Sequence, residues 1–471
     1  MRTIKLSIAR ILTVALAMLI GAAVLCPQQR SIKRLDGSRI TPAEIDRTVA
    51  HWMAAARVTG VGIAIFNGGK IAYLKTYGER DTESHLPLTP DSIMTCASLS
   101  KPAFAVLVME LVRRGVIDLD KPVYEYLPKP LPEYPDYSDL AGDERYKLLT
   151  LRMLLDHTTG FPNLRRFMPD KKLKFYYPPG SRFTYSGEGI LLGQMVVETV
   201  TGKPLNELMH EFIYDPLGMT RTSMVWESRF EDNFANGYDE DGRSLGPERR
   251  QEANAAGGMQ STLRDYARLV EAVLSGKIPP KQERKMMLSP QIRIHSKHEF
   301  PSLAEETTTE DDAIRLSYGL GWGLYSSPYG EAFFKEGHDE GWRHYVVCFD
   351  KPKTGILIMT NSSNGEDIYS GLLENLIRDT FTPLEWEGFR PSQEVDFQRR
   401  AACSTQKRRK SLDSGRMYRG RLARCRVGIL PTRGSGTLPR QRARCPRSNY
   451  QSLGRNAKEE SRPSTRRADV G

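Results

Sequence analysis

The chain has 471 residues, and 39% of them are hydrophobic, which is enough for one large core or two subdomains. Its formal net charge of +11 comes from the C-terminal end, because residues 391–471 hold 21 Lys and Arg against 6 Asp and Glu, which leaves −4 for residues 1–390. The basic balance is therefore no evidence that the folded part binds nucleic acid, and we expect no such partner.

The N-terminus carries an uncharged apolar segment at residues 11–26, preceded by Arg2 and Lys5. The segment is shorter than the roughly 20 residues that span a bilayer, so it predicts an export signal rather than a permanent anchor. A cleaved signal, an uncleaved anchor and a lipoprotein processed at Cys26 are the three alternatives. We assign residues 1–36 to this signal or anchor. The prediction is a periplasmic or cell-envelope protein, which could associate with the membrane through its N-terminus.

Residues 37–390 are predicted to form the folded domain. Thr41-Pro42-Ala43-Glu44 fits a capping box with proline at the first helical position, so a helix should begin there. Two apolar segments follow at residues 61–66 and 71–77, on either side of Asn67-Gly68-Gly69. This pattern is a strong signal for a β-hairpin.

Ser98-Leu99-Ser100-Lys101 precedes Pro102 and an apolar run at residues 103–112, which predicts a buried helix. Residues three apart on a helix share a face, so the Ser98 hydroxyl and the Lys101 amine should lie side by side. A desolvated amine can take the proton of a serine nucleophile, and the helix N-terminus can stabilise a developing oxyanion. The motif also occurs by chance, so alone it is a hypothesis.

The middle of the chain, residues 100–290, has the pattern of helices and loops broken by Gly and Pro. Apolar, β-rich runs return at residues 342–349 and 355–360, and a closing amphipathic helix is marked by Ile368, Leu372, Leu376 and Ile377. The predicted fold class is α/β in the broad sense (α+β). It has an antiparallel sheet built from both chain ends, flanking helices and an inserted, mostly helical lobe.

Further motifs stand in a fixed order with the first: Leu154-Leu155-Asp156-His157-Thr158-Thr159-Gly160, Pro179-Gly180-Ser181-Arg182-Phe183-Thr184-Tyr185-Ser186-Gly187 and Lys335-Glu336-Gly337. With these motifs the chain, from about residue 41 to 380, resembles the serine β-lactamase and penicillin-binding protein superfamily. It is most similar to the class C β-lactamase-like serine hydrolases. The resemblance implies a β-lactamase-like fold.

The resemblance also implies roles for single residues. Ser98 corresponds to the nucleophile, and Lys101 and Tyr185 to its proton-transfer partners. The residues implied on the substrate-binding side are Lys335, Gly337, His338 and Ser186. The Lys335 charge should disfavour protonation of Lys101 and attract a substrate carboxylate, and the backbone N–H groups of His338 and Ser98 would form the oxyanion hole.

Two positions depart from the family pattern. Gly187 stands where the family commonly has Asn, so a side-chain amide that grips an amide substrate is missing. Glu336 replaces a small Thr or Ser and adds a negative charge beside Lys335. His157 is expected to be structural rather than catalytic.

Other features are expected to carry no chemistry. Gly242-Arg243-Ser244-Leu245-Gly246 matches the G-x-S-x-G elbow but lacks an apolar strand before it, so we interpret it as a loop. Cys96 and Cys348 should serve packing, and no metal-ligand spacing is present, so neither metal nor cofactor is expected. The tail, residues 391–471, is rich in Arg, Ser and Gly, and its composition predicts disorder.

The sequence therefore predicts a serine hydrolase that acts through a covalent acyl-enzyme on small-molecule or peptide substrates. These would be esters or amides such as β-lactams and D-Ala peptides. The alternative is an envelope protein that binds penicillin or peptidoglycan without hydrolysing it.

Overall fold

A nine-stranded antiparallel sheet is the centre of the structure, a computed structural model that describes residues 31–389. The strands of the whole structure, in chain order, are β1 (Ile32–Lys33), β2 (Arg39–Ile40), β3 (Gly60–Asn67), β4 (Lys70–Asp81), β5 (Leu86–Pro87), β6 (Met94–Thr95), β7 (Gly237–Tyr238), β8 (Ser244–Gly246), β9 (Gln260–Ser261), β10 (Ile292–Arg293), β11 (Ser317–Tyr318), β12 (Gly323–Ser327), β13 (Gly330–Asp339), β14 (Trp342–Phe349) and β15 (Thr354–Thr360). The order in the large sheet is β10-β11-β12-β13-β14-β15-β3-β4-β5.

The described α-helices are α1 (Pro42–Ala56), α2 (Ser100–Arg113), α3 (Leu151–Leu155), α4 (Gly187–Thr201), α5 (Leu205–Met209), α6 (Asp215–Leu217), α7 (Leu263–Ser275), α8 (Lys281–Met287) and α9 (Tyr369–Leu372). Shorter 3₁₀ turns lie at Ala97–Leu99, Val123–Tyr126, Leu131–Glu133, Pro135–Leu140, Glu144–Leu148, Arg165–Phe167, Ser228–Phe230, Glu310–Asp312 and Gly365–Ile368. Two π-helical turns, His210–Tyr214 and Leu373–Ile377, complete the set. Among these helices, none has the length and apolar character needed to cross a membrane.

The sheet is built from both ends of the chain, as predicted. Strands β3 to β5 come from residues 60–87 and strands β10 to β15 from residues 292–360, and β15 pairs with β3 to join the two sets. Most of the α-helices lie between them in sequence, which confirms the inserted helical lobe. Gly68 and Gly69 form the β3–β4 hairpin turn, and both have positive φ, which favours glycine there.

The central strands are buried on both faces. In β3, Ile63 and Ile65 pack with α1, whereas Ala64 and Phe66 pack with the helical lobe, and all four are fully buried. This alternation follows from the two-residue period of a strand. A strand covered on both faces reads as a continuous apolar run, which is why the sequence signal was clear here.

The folded unit begins earlier than the sequence indicated. The capping box at Thr41 is present and α1 starts at Pro42, as predicted. However, β1 pairs with β2, Ile32 is buried, and the Leu35 N–H donates to the Ile377 carbonyl at 3.0 Å. Residues 32–36 therefore belong to the fold and not to the leader. The rest of the predicted leader and the tail lie outside the described residues.

The G-x-S-x-G match is not a nucleophile elbow. Ser244 begins the short strand β8, which pairs with β7 in a two-stranded hairpin, rather than lying in the predicted loop. Its side chain is exposed and no helix follows the strand, so the strand-turn-helix geometry of an elbow is missing.

A buried histidine ties the sheet to the segment before Ser98. His344 in β14 accepts the Thr360 N–H at Nδ1, at 3.2 Å, and its Nε2 lies 2.7 Å from the Thr95 carbonyl. This pattern requires a neutral ring that donates through Nε2. Burial lowers the pKa of His344 to about 4. The ring therefore holds β6 against the sheet while it is uncharged.

We expect His344 to make the fold sensitive to acid. The unfolded state takes up this proton near pH 6.5 and the folded state only near pH 4, so stability should fall by about 3 kcal/mol as the pH drops through that window. Urea unfolding of wild type and His344→Gln between pH 7.5 and 4 would measure it. The variant should lose this part of the pH dependence, and His51→Gln, at an exposed histidine, should keep it. Equal slopes in wild type and His344→Gln would contradict the assignment.

Candidate active site

Ser98 and Lys101 lie in contact at the start of α2. Ser98 is part of the 3₁₀ turn Ala97–Leu99, and its side chain is half-buried. The Lys101 Nζ is 3.0 Å from the Ser98 Oγ and 2.6 Å from the carbonyl oxygen of Ala256. The i, i+3 spacing in the sequence predicted the first contact. The second was not predicted, because Ala256 comes from a distant loop of the helical lobe.

The backbone that carries Ser98 is held in an unusual conformation. Ala97 has φ +48°, a left-handed value that is uncommon for a residue with a Cβ. The Ser100 hydroxyl donates to the Ala97 carbonyl at 2.7 Å and accepts the Met259 N–H at 3.0 Å. The Tyr266 hydroxyl donates to the Leu99 carbonyl at 3.0 Å. These bonds fix the turn, and strain of this kind is common at functional sites.

The Lys101 amine is close to neutrality at physiological pH. Burial and the nearby charge of Lys335 lower its pKa to about 7. Both effects disfavour the ammonium form, so a large fraction of the side chain is an uncharged amine at pH 7. An uncharged amine at 3.0 Å from a hydroxyl can accept its proton.

Tyr185 lies between the two lysines. Its ring centroid is 4.9 Å from the Lys101 Nζ and 4.6 Å from the Lys335 Nζ, so both lysine side chains contact the ring and the charged Lys335 makes a cation–π interaction with it. The side chain is buried, with 2% exposure. The structure therefore brings together Ser98, Lys101, Tyr185 and Lys335, the four side chains that the motifs singled out.

His157 packs on this tyrosine. The two ring centroids are 4.4 Å apart, and the His157 Nδ1 accepts the Ser186 N–H at 3.2 Å. Burial, together with the charges of Lys101 and Lys335, keeps the pKa of His157 well below its usual range. The neutral ring therefore orients Tyr185, which fits the structural role expected for it.

Ser186 is occupied by local hydrogen bonds. Its hydroxyl caps α4 by accepting the Gly189 N–H at 3.0 Å, and it donates to the Pro162 carbonyl at 2.9 Å. The side chain is fully buried. These contacts favour a structural role over the substrate contact that the resemblance implied.

The loop that precedes Arg165 occupies the space beside Gly187. A Cβ added at Gly187 would lie 3.0 Å from the Asn163 carbonyl oxygen and 3.0 Å from a Leu164 methyl carbon. The Gly187 N–H donates to the Asn163 Oδ1 at 3.2 Å. An amide side chain is therefore present next to this position, but it belongs to Asn163, which no motif marked.

Lys335 and Glu336 form a buried ion pair in β13. Burial lowers the pKa of Lys335, but the Glu336 carboxylate outweighs it and the net shift is upward. Lys335 is therefore a charged, interior lysine and not a solvated one. The ion pair fits the expectation that Glu336 offsets part of the charge that Lys335 could offer to a substrate.

Gly337 and His338 continue β13 past the Ser98 turn. A Cβ at Gly337 would lie 2.8 Å from the Cys96 carbonyl oxygen and 3.0 Å from the Leu99 Cγ. Glycine therefore allows the strand to approach the turn. The His338 side chain is partly exposed, 3.4 Å from Glu366. The backbone N–H groups of His338 and Ser98 as oxyanion donors stay a prediction.

Two further acids lie close to the site and carried no sequence signal. Glu299 and Glu387 are buried, and each has an oxygen within 4.8 Å of the others and of Glu336. Burial, and then the Glu336 charge, raise the pKa of both carboxyl groups. Single acids in loops far apart in sequence have no spacing that could have marked them.

We expect Gly337→Ala to damage the site. The new Cβ would force β13 and the Ser98 turn apart, which should lower kcat/KM for an ester by about 100-fold and stability by about 1–3 kcal/mol. Ester kinetics and thermal unfolding would measure the two effects. A Cβ at Gly257 would make only ordinary van der Waals contacts, with its nearest neighbours 3.8 Å away, so Gly257→Ala should keep the wild-type unfolding temperature. Full activity in Gly337→Ala would contradict the close approach.

Comparison with known proteins supports the motif analysis. The chain is 30% identical over 209 residues to esterase EstB of Burkholderia gladioli, a match that covers 39% of this chain and 51% of the esterase. It is 25% identical to a penicillin-binding protein of Bacillus subtilis (strain 168), over 64% of this chain and 67% of that protein. The chain thus spans about half the length of the esterase.

A solved structure shows the same fold. The octameric penicillin-binding protein homologue from Pyrococcus abyssi superposes with a TM-score of 0.57 at 22% identity, over 72% of this chain and 78% of that one. A family model described as Beta-lactamase matches residues 45–375, which is more than half of the chain. The fold is β-lactamase-like, and the chain belongs to the Beta-lactamase family.

Proposed function

We propose that this protein is a serine hydrolase that works through a covalent acyl-enzyme. The observation that carries the proposal is the 3.0 Å contact between the Ser98 Oγ and a buried Lys101 amine whose pKa is lowered to about 7. Relatives named as an esterase, a β-lactamase and a teichoic acid D-alanine hydrolase support hydrolysis in general.

The proposed reaction has two steps. In the first, the Ser98 Oγ attacks the substrate carbonyl carbon while its proton passes to the neutral Lys101 amine, and the leaving group departs with a proton delivered through Tyr185. The backbone N–H groups of Ser98 and His338 would hold the oxyanion. In the second step, water attacks the acyl carbon and gives a proton to Lys101, that proton passes to the Ser98 Oγ as the acyl C–O bond breaks, and the acid product leaves.

The charge balance favours small neutral esters as substrates. Lys335 could bind a substrate carboxylate, as β-lactams and D-Ala peptides carry, but its ammonium is already paired with Glu336. Gly187 supplies no side chain for an amide contact. We infer that activated esters are cleaved readily, and β-lactams and D-Ala peptides slowly.

The second candidate is a penicillin- or peptidoglycan-binding protein that is acylated and not turned over. The relative named as a penicillin-binding protein favours it. It differs from the first candidate in one measurable property, the lifetime of the acyl-enzyme. We also propose that the protein is exported to the periplasm or cell envelope, on the basis of the apolar segment at residues 11–26.

We expect Ser98→Ala to remove ester hydrolysis by at least about 1000-fold and to prevent acylation. The measurements are p-nitrophenyl butyrate kinetics and intact-mass spectrometry after exposure to that ester and to a chromogenic cephalosporin. Ser244→Ala, which alters the exposed serine of the G-x-S-x-G match, is the matched control and should stay within twofold of wild type.

Three outcomes of this experiment separate the candidates. Rapid ester turnover and slow cephalosporin turnover that both depend on Ser98 support the hydrolase. A stable adduct on Ser98 without product release supports the binding protein. Full activity in Ser98→Ala would exclude both.

The pH profile should report Lys101. With its pKa at about 7, kcat/KM for a neutral ester should fall below pH 7, approaching tenfold per pH unit, because the protonated amine cannot act as a base. Lys335→Met removes a charge that lowers this pKa, so the acidic limb should move to higher pH. Lys281→Met, at an exposed lysine in α8, should leave the limb in place. If the acidic limb of the pH profile stayed in place in Lys335→Met, the effect of the Lys335 charge on the Lys101 pKa would be contradicted.

A further inference from the structure

Three buried carboxyl groups meet behind Lys335. Glu299, Glu336 and Glu387 have exposures of 2%, 4% and 7%, and one oxygen from each lies within 4.8 Å of the other two. They come from three separate parts of the chain: the loop before β11, strand β13 and the segment after α9. No step of the proposed reaction uses Glu299 or Glu387.

Two oxygens of this cluster lack a hydrogen-bond partner within residues 31–389. The Oε2 of Glu299 and the Oε1 of Glu387 are buried without a hydrogen bond. The other oxygen of Glu387 accepts the Tyr345 hydroxyl at 2.6 Å. A buried oxygen without a partner is unusual in a folded protein and indicates an absent ligand or proton.

A neighbouring phenol points to the same conclusion. The Tyr318 hydroxyl is buried and also lacks a hydrogen-bond partner among the described residues. Burial raises its pKa, and the charges of Lys335, Tyr185, Glu336 and Glu299 act on it, so the phenol lies in the same buried region as the carboxylates. Tyr318 is thus a further buried polar side chain of this region, besides the carboxyl groups, that has no hydrogen-bond partner among residues 31–389.

The charge of the cluster is not balanced by the side chains around it. If all three carboxyl groups were ionised they would carry −3, against +1 from Lys335 through its pair with Glu336. A net charge of −2 in a buried site is strongly unfavourable. Two protons or one divalent cation would neutralise it.

We propose that Glu299, Glu336 and Glu387 bind one divalent cation, with Ca²⁺ preferred to Mg²⁺. Carboxylate oxygens are the ligands that this cation prefers. The three oxygens lie within 4.8 Å of one another, close enough for one cation to contact all of them, and Mg²⁺ fits a buried site less well because it dehydrates reluctantly. The cation would neutralise the −2 charge and give the unpartnered oxygens a ligand.

Cation binding would also change the surroundings of Lys335. A cation on Glu336 competes with the Lys335 ammonium for the same carboxylate. The bound cation would therefore link three distant chain segments and weaken the ion pair between Glu336 and Lys335. This inference does not rest on the proposed hydrolase activity, and its test uses binding and stability alone.

The test is a titration of the full-length protein with CaCl₂ at pH 7.5, after treatment with EDTA and dialysis. Isothermal titration calorimetry should show one Ca²⁺ bound per chain. A free Ca²⁺ concentration about 100 times the Kd should raise the unfolding temperature by about 4 °C. MgCl₂ should bind more weakly. Absence of stoichiometric Ca²⁺ binding by wild type at millimolar concentration would overturn the proposal and leave protons as the neutralising species.

Isosteric variants locate the site. Glu299→Gln and Glu387→Gln each remove one ligand charge and should abolish the Ca²⁺-dependent rise in unfolding temperature, while Glu305→Gln, at an exposed acid of the same loop, should keep it. A Ca²⁺ response that persists in both cluster variants would place the cation elsewhere and overturn the assignment. If a variant fails to fold, the wild-type titration still decides whether the protein binds the ion.

Discussion

Burial of the Lys101 amine is the constraint on which the site depends. A solvated lysine is protonated at neutral pH and cannot act as a base, so the amine must be enclosed on all sides. The sheet supplies Lys335, helix α2 supplies Lys101 itself, and the helical lobe supplies the Ala256 carbonyl. The base therefore exists only where the two parts of the fold meet, which explains why the inserted lobe and the sheet from both chain ends are needed together.

Enclosure of one amine imposes conditions on every charge near it. The ring of Tyr185 lies close to the Nζ atoms of both lysines, His157 is kept neutral, and the Glu336 carboxylate keeps Lys335 charged. Each of these contacts compensates a group that water would otherwise solvate. Glu299 and Glu387 are the members of this buried set that the described side chains leave incompletely compensated.

Local physical rules account for what the sequence could predict. The Ser98 and Lys101 contact follows from the helical repeat, the β3–β4 hairpin from two adjacent glycines, and the central strands from continuous apolar runs. The leader boundary was placed too late because β1 has only two residues, too few for a periodic pattern. Asn163, Glu299 and Glu387 were missed because each acts through a tertiary contact that no spacing in the sequence encodes.

The position of Glu336 shows why family membership does not decide the substrate. The strand keeps a lysine at the position where the family motif has one, but an acid follows it where a small residue is usual. In the folded chain the Glu336 carboxylate forms an ion pair with the Lys335 ammonium and also lies close to the carboxyl groups of Glu299 and Glu387. The proton or cation that neutralises these carboxyl groups therefore also affects the strength of the ion pair between Glu336 and Lys335. The capacity of the site to accept a carboxylate-bearing substrate is therefore a property of the buried cluster as a whole, and a motif of three residues cannot specify it.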